Sequence, residues 1–254
     1  MTDAPKTFGS LFAGIGGIDL GLERCGLVCK WQVEIDPYCQ KVLAKHWPNV
    51  PRHDDVKTFP PDESTTWQVD MVTAGFPCQD ISLAGEGKGI HGNRSSLFFD
   101  AVRIARTLKA RWIFLENVPA ITSGGLDVVL ATLSQSGFDA EWQMLSAADV
   151  GAPHRRNRFW LRASLADATS IGSSEPGPHG QPCHPAAQET RQATQSFDGR
   201  VRHFWATEPE LDRVADGLPS RVDRLKGLGN AVVPQCVEEL CYQWGWNHEP
   251  ERTR

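Results

Sequence analysis

A cysteine stands between Pro77 and Gln79 in GFPCQDIS (75–82), directly after the apolar run VDMVTAG (69–75). Cys78 is either a small buried hydrophobe or a nucleophile, and the proline before it argues against a plain strand-interior position. No CxxC pair and no Cys/His spacing of a metal site accompanies it, so a metal-ligand role is not expected. ENVP (116–119) closes a second apolar run, RWIFLEN, with a carboxylate; Glu116 there is a cap or a proton-transfer group. HRRNRFWLR (154–162) holds four arginines. Arg156 and Arg158 alternate with Asn157 and would share one face of an extended segment. They would meet phosphate or a base edge, or form only a solvated charge cluster. RVDRLKGLGN (221–230) adds Arg221, Arg224 and Lys226 as a second basic cluster.

FAGIGG (12–17) spans a predicted strand end and helix start, where glycines let the backbone approach a ligand closely. Glu34 lies at the predicted end of the next strand, where an acid can accept hydrogen bonds from a ribose hydroxyl pair. This spacing suits NAD as well as S-adenosylmethionine. A tight structural turn beside a solvated acid would leave the same pattern.

These residues need a scaffold, and the sequence predicts one. TFGSLFA (7–13), WQVEID (31–36), VDMVTAG (69–75) and RWIFLEN (111–117) read as strands. Between them lie helical segments at Ile18 to Cys25, PYCQKVLAKHW (37–47) with Pro37 suited to a first turn, and SLFFDAVRIARTLKA (96–110). Strands alternating with helices predict an α/β fold with a parallel sheet covered on both faces. Gly14, Cys78 and Glu116 then follow strand ends and converge on one cleft. EWQMLSAADVGAPHRRNRFWLRA (141–163) supplies antiparallel strands around GAPHRRN, and VPQCVEELCYQWGW (233–246) a closing helix.

The chain of 254 residues accommodates one sizeable core. A net charge of -5 disfavours coating of nucleic acid by bulk positive charge while leaving local basic patches. Seven cysteines without a paired framework suit a reducing compartment. The N-terminus lacks the pattern of a secretory signal, and no stretch approaches ~18 uninterrupted apolar residues. A soluble, cytoplasmic protein without membrane contact is expected.

FAGIGG, the Glu34 segment, GFPCQDIS, ENVP, the Arg156/Arg158 element and GLGNAVVPQ, in this order, resemble the DNA cytosine-5 methyltransferases. The likeness covers roughly 7 to 162 and 217 to 240. It implies a Rossmann-like α/β sheet with a reduced target-recognition region, S-adenosyl-L-methionine as cofactor, and double-stranded DNA with a flipped cytosine as substrate. The implied organisation is a catalytic and cofactor-binding domain over 1–162, a reduced recognition region or linker over 163–216, and a segment over 217–254 that returns to the catalytic domain.

By resemblance, Cys78 is the nucleophile, Glu116 contacts the cytosine ring nitrogen and amino group, and Arg158, with Arg156 beside it, approaches the cytosine carbonyl. Enclosure should raise the Glu116 pKa for that role. Phe12, Gly14, Gly16 and Gly17 match the cofactor loop, Glu34 the ribose acid, Ile35 the hydrophobic position beside it, and Asp55 the acid that meets the adenine amino group. Gly75, Pro77, Leu97, Asn230 and Ala231 frame the cofactor pocket. Ser82 resembles a DNA-backbone contact, and Arg94, Arg155, Arg221, Arg224 and Lys226 join it as DNA-binding candidates. The glycine-rich segment 80–94 suits a loop closing over the base.

Two departures from the family stand out. His154 occupies a position where the family more often has Gln. The interval from Ala163 to Gly217 is short for a recognition domain, and its first two thirds are poor in large apolar residues. Another protein chain contributing to target recognition, and a cognate restriction endonuclease, are compatible partners. The alternatives to DNA methylation are a catalytically weak or silent DNA-binding relative, an RNA cytosine-5 methyltransferase, and a nucleotide-linked oxidoreductase.

Overall fold

The computed structural model describes residues 4–62, 64–76, 96–165 and 221–247, with only the backbone given at 96, 221, 222 and 224–226. The first half alternates strand and helix: β1 (Thr7–Leu11), α1 (Gly17–Arg24), β2 (Val28–Val33), α2 (Pro37–His46), β3 (Arg52–His53) and β4 (Met71–Gly75). It continues with α3 (Ser96–Thr107), β5 (Trp112–Asn117), α4 (Leu126–Gln135), β6 (Phe138–Ser146) and β7 (Asn157–Leu165). Helices α5 (Arg221–Asn230) and α6 (Pro234–Gln243) follow.

The seven strands form one sheet in the order β3-β2-β1-β4-β5-β7-β6. The pairings from β3 through β5 are parallel, whereas β7 runs antiparallel to both β5 and β6. The expected parallel sheet is thus extended by the antiparallel strands expected around GAPHRRN. The link from β6 to β7 is a short loop, not a helical crossover, so those two strands must pair antiparallel. All six residues of β5 are buried, as a strand flanked by neighbours and covered on both faces requires.

One apolar cluster, with Phe98, Ala101 and Ile104 of α3 and Val129 and Leu133 of α4, fills one face. A second, with Ile18 and Leu22 of α1 and Val237 and Leu240 of α6, fills the other. Helix α6 thus returns to the N-terminal half, with Arg24 and Glu238 paired at 2.8 Å across the two helices. Strand order reverses between β1 and β4, and the crevice beyond the carboxyl ends at such a point is where open α/β sheets bind ligands.

Several boundaries differ from the sequence reading. β1 stops at Leu11, before Ala13, because Phe12 turns into a left-handed conformation with φ 55°. β2 begins at Val28 and ends at Val33, since Val28 pairs with Thr7. β7 runs to Leu165, past the expected end of the antiparallel segment at 163, because the Leu165 amide donates to the Arg111 carbonyl. α2 fits its expectation: Asp36 accepts from the amides of Tyr38 and Cys39, Pro37 occupies the first turn, and Lys45 and His46 close the last.

Cys25, Cys29, Cys39, Cys236 and Cys241 are buried free thiols. Among the described residues no helix is long and apolar enough to cross a membrane. The expected recognition region falls almost wholly outside the described residues.

Candidate active site

The glycine loop between β1 and α1 is organised by the acid at the end of β2. One Glu34 carboxylate oxygen accepts from the Gly14 amide at 2.7 Å, and the other accepts from the Asp36 amide at 2.8 Å. Glu34 is buried, not a solvated acid beside a tight turn. A carboxylate offers about four lone-pair sites, so two amide bonds leave acceptor capacity for a ligand hydroxyl. Gly16 caps α1 at φ 87°, a conformation that costs a side-chain-bearing residue roughly 1–2 kcal/mol. Phe12 carries such a conformation itself, and strain of this kind concentrates at functional sites.

Beneath the loop lies a polar network that the sequence reading did not anticipate. Asp19, in the first turn of α1, is 0% exposed. Its carboxylate accepts from Ser10 Oγ at 3.0 Å and from Gln32 Nε2 at 2.8 Å, tying α1 to β1 and β2. Burial pushes its carboxyl up to about 6, against the lowering effect of those two hydrogen bonds.

A cavity of about 1010 Å³ opens beyond the strand ends. Its wall includes Phe12, Gly14, Gly17, Glu34 and Ile35 from the first half of the fold, and Asp55 from the 3-10 turn after β3. Ile35 is 74% exposed, an uncovered aliphatic side chain on a binding-sized cavity. Gly75, Leu97, Asn230 and Ala231 line it too, so these expected pocket residues converge. Gly16 is not on that wall; it packs against the Trp47 ring. Asp55 is already partly engaged, because one carboxylate oxygen accepts from the Lys57 amide at 2.9 Å.

At the other end of the cavity stand Glu116 and Arg158. Strand β5 delivers Glu116 opposite Gly75 of β4, and a Cβ on Gly75 would lie 3.3 Å from the Glu116 carboxylate. Arg158 Nε pairs with that carboxylate at 2.8 Å. Burial raises the Glu116 pKa, opposed by the charges of Arg158 and Arg156 and by the Arg158 hydrogen bond. Loss of hydration outweighs the ion pair here, so the carboxyl holds a proton more readily than a free one. Arg156 turns instead to the Gly229 carbonyl at 2.8 Å, linking the arginine element to the GLGN segment.

Asn117 donates to the Phe76 carbonyl at 3.1 Å and accepts from the Val118 amide, bridging the ends of β4 and β5 just before the Cys78 segment. An amide after a catalytic-type acid carries no spacing signal in the sequence. Cys78, Pro77, Ser82 and Arg94 lie outside the described residues, as does the expected closing loop. Arg155 is exposed, and His154 lines a second, smaller cavity together with Arg156 and Arg24. Arg221, Arg224 and Lys226 lie on α5, and only their backbone is described.

The model of the C-5 cytosine-specific DNA methylases matches residues 6–199. The chain belongs to that family. Among its relatives, the Type II methyltransferase M.HhaI of Haemophilus parahaemolyticus is 37% identical over 158 residues, covering 61% of this chain and 47% of that protein. The Type II methyltransferase M2.BsuMI of Bacillus subtilis is 36% identical over 186 residues, covering 68% of this chain and 47% of that protein. This family member therefore spans about half the length of the curated relatives it matches. The solved methyltransferase EhMeth of Entamoeba histolytica shares the fold, with a TM-score of 0.56 at 20% identity over 65% of this chain and 54% of that one. The cofactor that accompanies family membership is S-adenosylmethionine.

The cavity suits such a ligand. No atom lies within 4 Å of where a Gly14 side chain would begin, leaving open space against the loop. Glu34 offers acceptors for hydroxyls, Ile35 and Leu97 offer apolar cover, and Asp55 retains an oxygen for an amino group.

Proposed function

We propose that this chain is a cytosine-5 methyltransferase whose acceptor is DNA, working through a covalent bond between Cys78 and the base. The reading rests chiefly on one observation: a buried carboxyl, Glu116, paired with Arg158 in the same cavity as the Glu34-braced glycine loop. Family membership supports it. S-adenosylmethionine, when bound, supplies an electrophilic methyl group on a sulfonium. Phe12, Gly14, Glu34, Ile35, Asp55, Leu97, Asn230 and Ala231 would hold it, with Pro77, the residue after Phe76 in the sequence, proposed to join them.

Cytosine C5 is a poor nucleophile, and covalent addition at C6 turns one hard step into easier ones. Cys78 forms its S–C6 bond as the ring electrons shift toward C5 and N3. Glu116, whose burial favours the protonated form, shares a proton with N3 and so absorbs the charge developing on the ring. Arg158 meets O2 and stabilises the same charge. After C5 is methylated, the C5 proton passes to water, its bonding pair forms the C5=C6 double bond as the S–C6 bond breaks and Cys78 leaves as thiolate, and N3 returns its proton to Glu116. Cys78 is two residues beyond Phe76, whose carbonyl Asn117 holds. Ser82, Arg94, Arg155, Arg221, Arg224 and Lys226 are proposed to meet the nucleic acid backbone. A base within a duplex must swing out to reach the cavity, at a cost of a few kcal/mol.

A second reading is favoured by the coverage of about half of each relative and by the short interval before the GLGN segment. In it, the chain turns over slowly, with little sequence preference, or only binds. Incubation with methyl-labelled cofactor and either duplex DNA or tRNA, followed by nucleoside mass spectrometry, separates these. 5-Methylcytosine in the DNA is the expected product. Label in tRNA alone would move the assignment to RNA, and label in neither would leave a silent binding relative.

A further inference from the structure

The far end of the cavity is held from behind by an arginine that lines no part of it. Val56 and Lys57 contribute to the cavity from a single 3-10 turn, Val56–Thr58, and Asp55 from its N-cap, just after a strand of only two residues. The turn is held locally by the Thr58 and Phe59 amides, which donate at 3.2 and 3.3 Å to the Asp55 and Val56 carbonyls, and by the Lys57 amide, which donates to the Asp55 carboxylate at 2.9 Å. Arg103 of α3 ties that main chain to a neighbouring helix. Its Nη1 donates to the Phe59 carbonyl at 3.0 Å and its Nη2 to the Val56 carbonyl at 3.0 Å. Asp100, one turn earlier on α3, accepts from Nε at 3.1 Å and Nη2 at 3.0 Å and so orients the guanidinium.

A planar fork that reaches two carbonyls and one carboxylate at once is a task for arginine; the lysine ammonium is a compact point charge and cannot span them. The same helix carries Leu97 onto the cavity wall, so α3 sets one side of the pocket directly and another through Arg103. We propose that Arg103 is a positioning residue for purine recognition, holding the Asp55–Val56 main chain where the free Asp55 oxygen meets an exocyclic amino group. This rests on the proposed reading of Asp55 as the acid that meets the cofactor's adenine.

The test is calorimetric binding of S-adenosylhomocysteine and of its inosine counterpart, in which the amino group is replaced by a carbonyl, to the full chain and its Arg103→Met, Arg103→Lys and Asp100→Asn variants. The wild type should prefer the adenine ligand. Arg103→Met should weaken that ligand about tenfold, the scale of one lost well-placed polar contact, and leave the inosine ligand nearly unchanged, so that selectivity collapses. Arg103→Lys should fail to restore it, and Asp100→Asn should lose part of it. Equal weakening of both ligands, or full selectivity in the variants, would overturn the proposal. Arg103→Lys and Asp100→Asn carry the test if Arg103→Met does not fold. A wild type that binds neither ligand would instead overturn the cofactor reading, and one that binds both equally would overturn the role of Asp55.

Discussion

The buried carboxylate under the glycine loop makes a prediction with a definite pH signature. Asp19 sits among Ser10, Gln32 and Cys29 with no cation beside it among the described residues, and Glu23 of its own helix adds repulsion. Its carboxyl is pushed from the ordinary 3.8 to about 6. The folded chain therefore holds this proton where the unfolded chain has released it. Below pH 3.8 both states are protonated and Asp19 costs nothing; the cost grows as pH rises and is complete above about 6. The gap corresponds to about 3 kcal/mol at neutral pH. Asp19→Asn removes the titration and keeps the bonds: its amide oxygen still accepts from Gln32, and its amide nitrogen donates to Ser10 Oγ. The assay is denaturant unfolding of wild type and variant from pH 4 to 8, taking the difference at each pH so that other groups cancel. The variant should be nearly equal to wild type at pH 4 and more stable by about 1–3 kcal/mol at pH 8. A difference that stays flat with pH, or a variant that loses stability as pH rises, would refute the reasoning.

Two further substitutions probe the site. A Cβ on Gly17 would lie 2.6 Å from the Val232 carbonyl oxygen, so Gly17→Ala should push α1 away from the segment before α6 and cost about 1–3 kcal/mol in denaturant unfolding. Gly229→Ala, with no atom within 4 Å of its Cβ, should cost nothing measurable and serves as the control. Glu116→Gln keeps the shape but donates no acidic proton, so methyl transfer should fall about 100-fold or more while S-adenosylhomocysteine binding, followed by calorimetry, persists.

The alternation of apolar runs with amphipathic helices made β1, β4, β5, α2 and α3 legible, because each buries a face that its own residues spell out. Helix α4 was legible too but passed over: Leu126, Val129, Leu130 and Leu133 recur at helical spacing between Gly125 and Gly137. The register of β2 was not, since what draws Val28 into the sheet is Thr7 on another strand. The same holds for the site. Gly14, Glu34 and Glu116 announce themselves through spacing and strand ends. Asp19, Asn117 and Arg103 look like ordinary polar residues, and their partners Ser10, Phe76 and Val56 lie on other elements. Tertiary contacts alone reveal them.

The covalent step is the core of the account, and a trapped adduct tests it most directly. In a duplex with 5-fluorocytosine at target positions, fluorine at C5 cannot leave as a proton does, so a chain that methylates through Cys78 should stay bonded to the DNA when S-adenosylmethionine is present. Peptide mass spectrometry should place the bond at position 78, and Cys78→Ser should give no adduct. Transfer of the methyl group to C5 of ordinary cytosine by Cys78→Ala, or an adduct carried by a different residue, would contradict it.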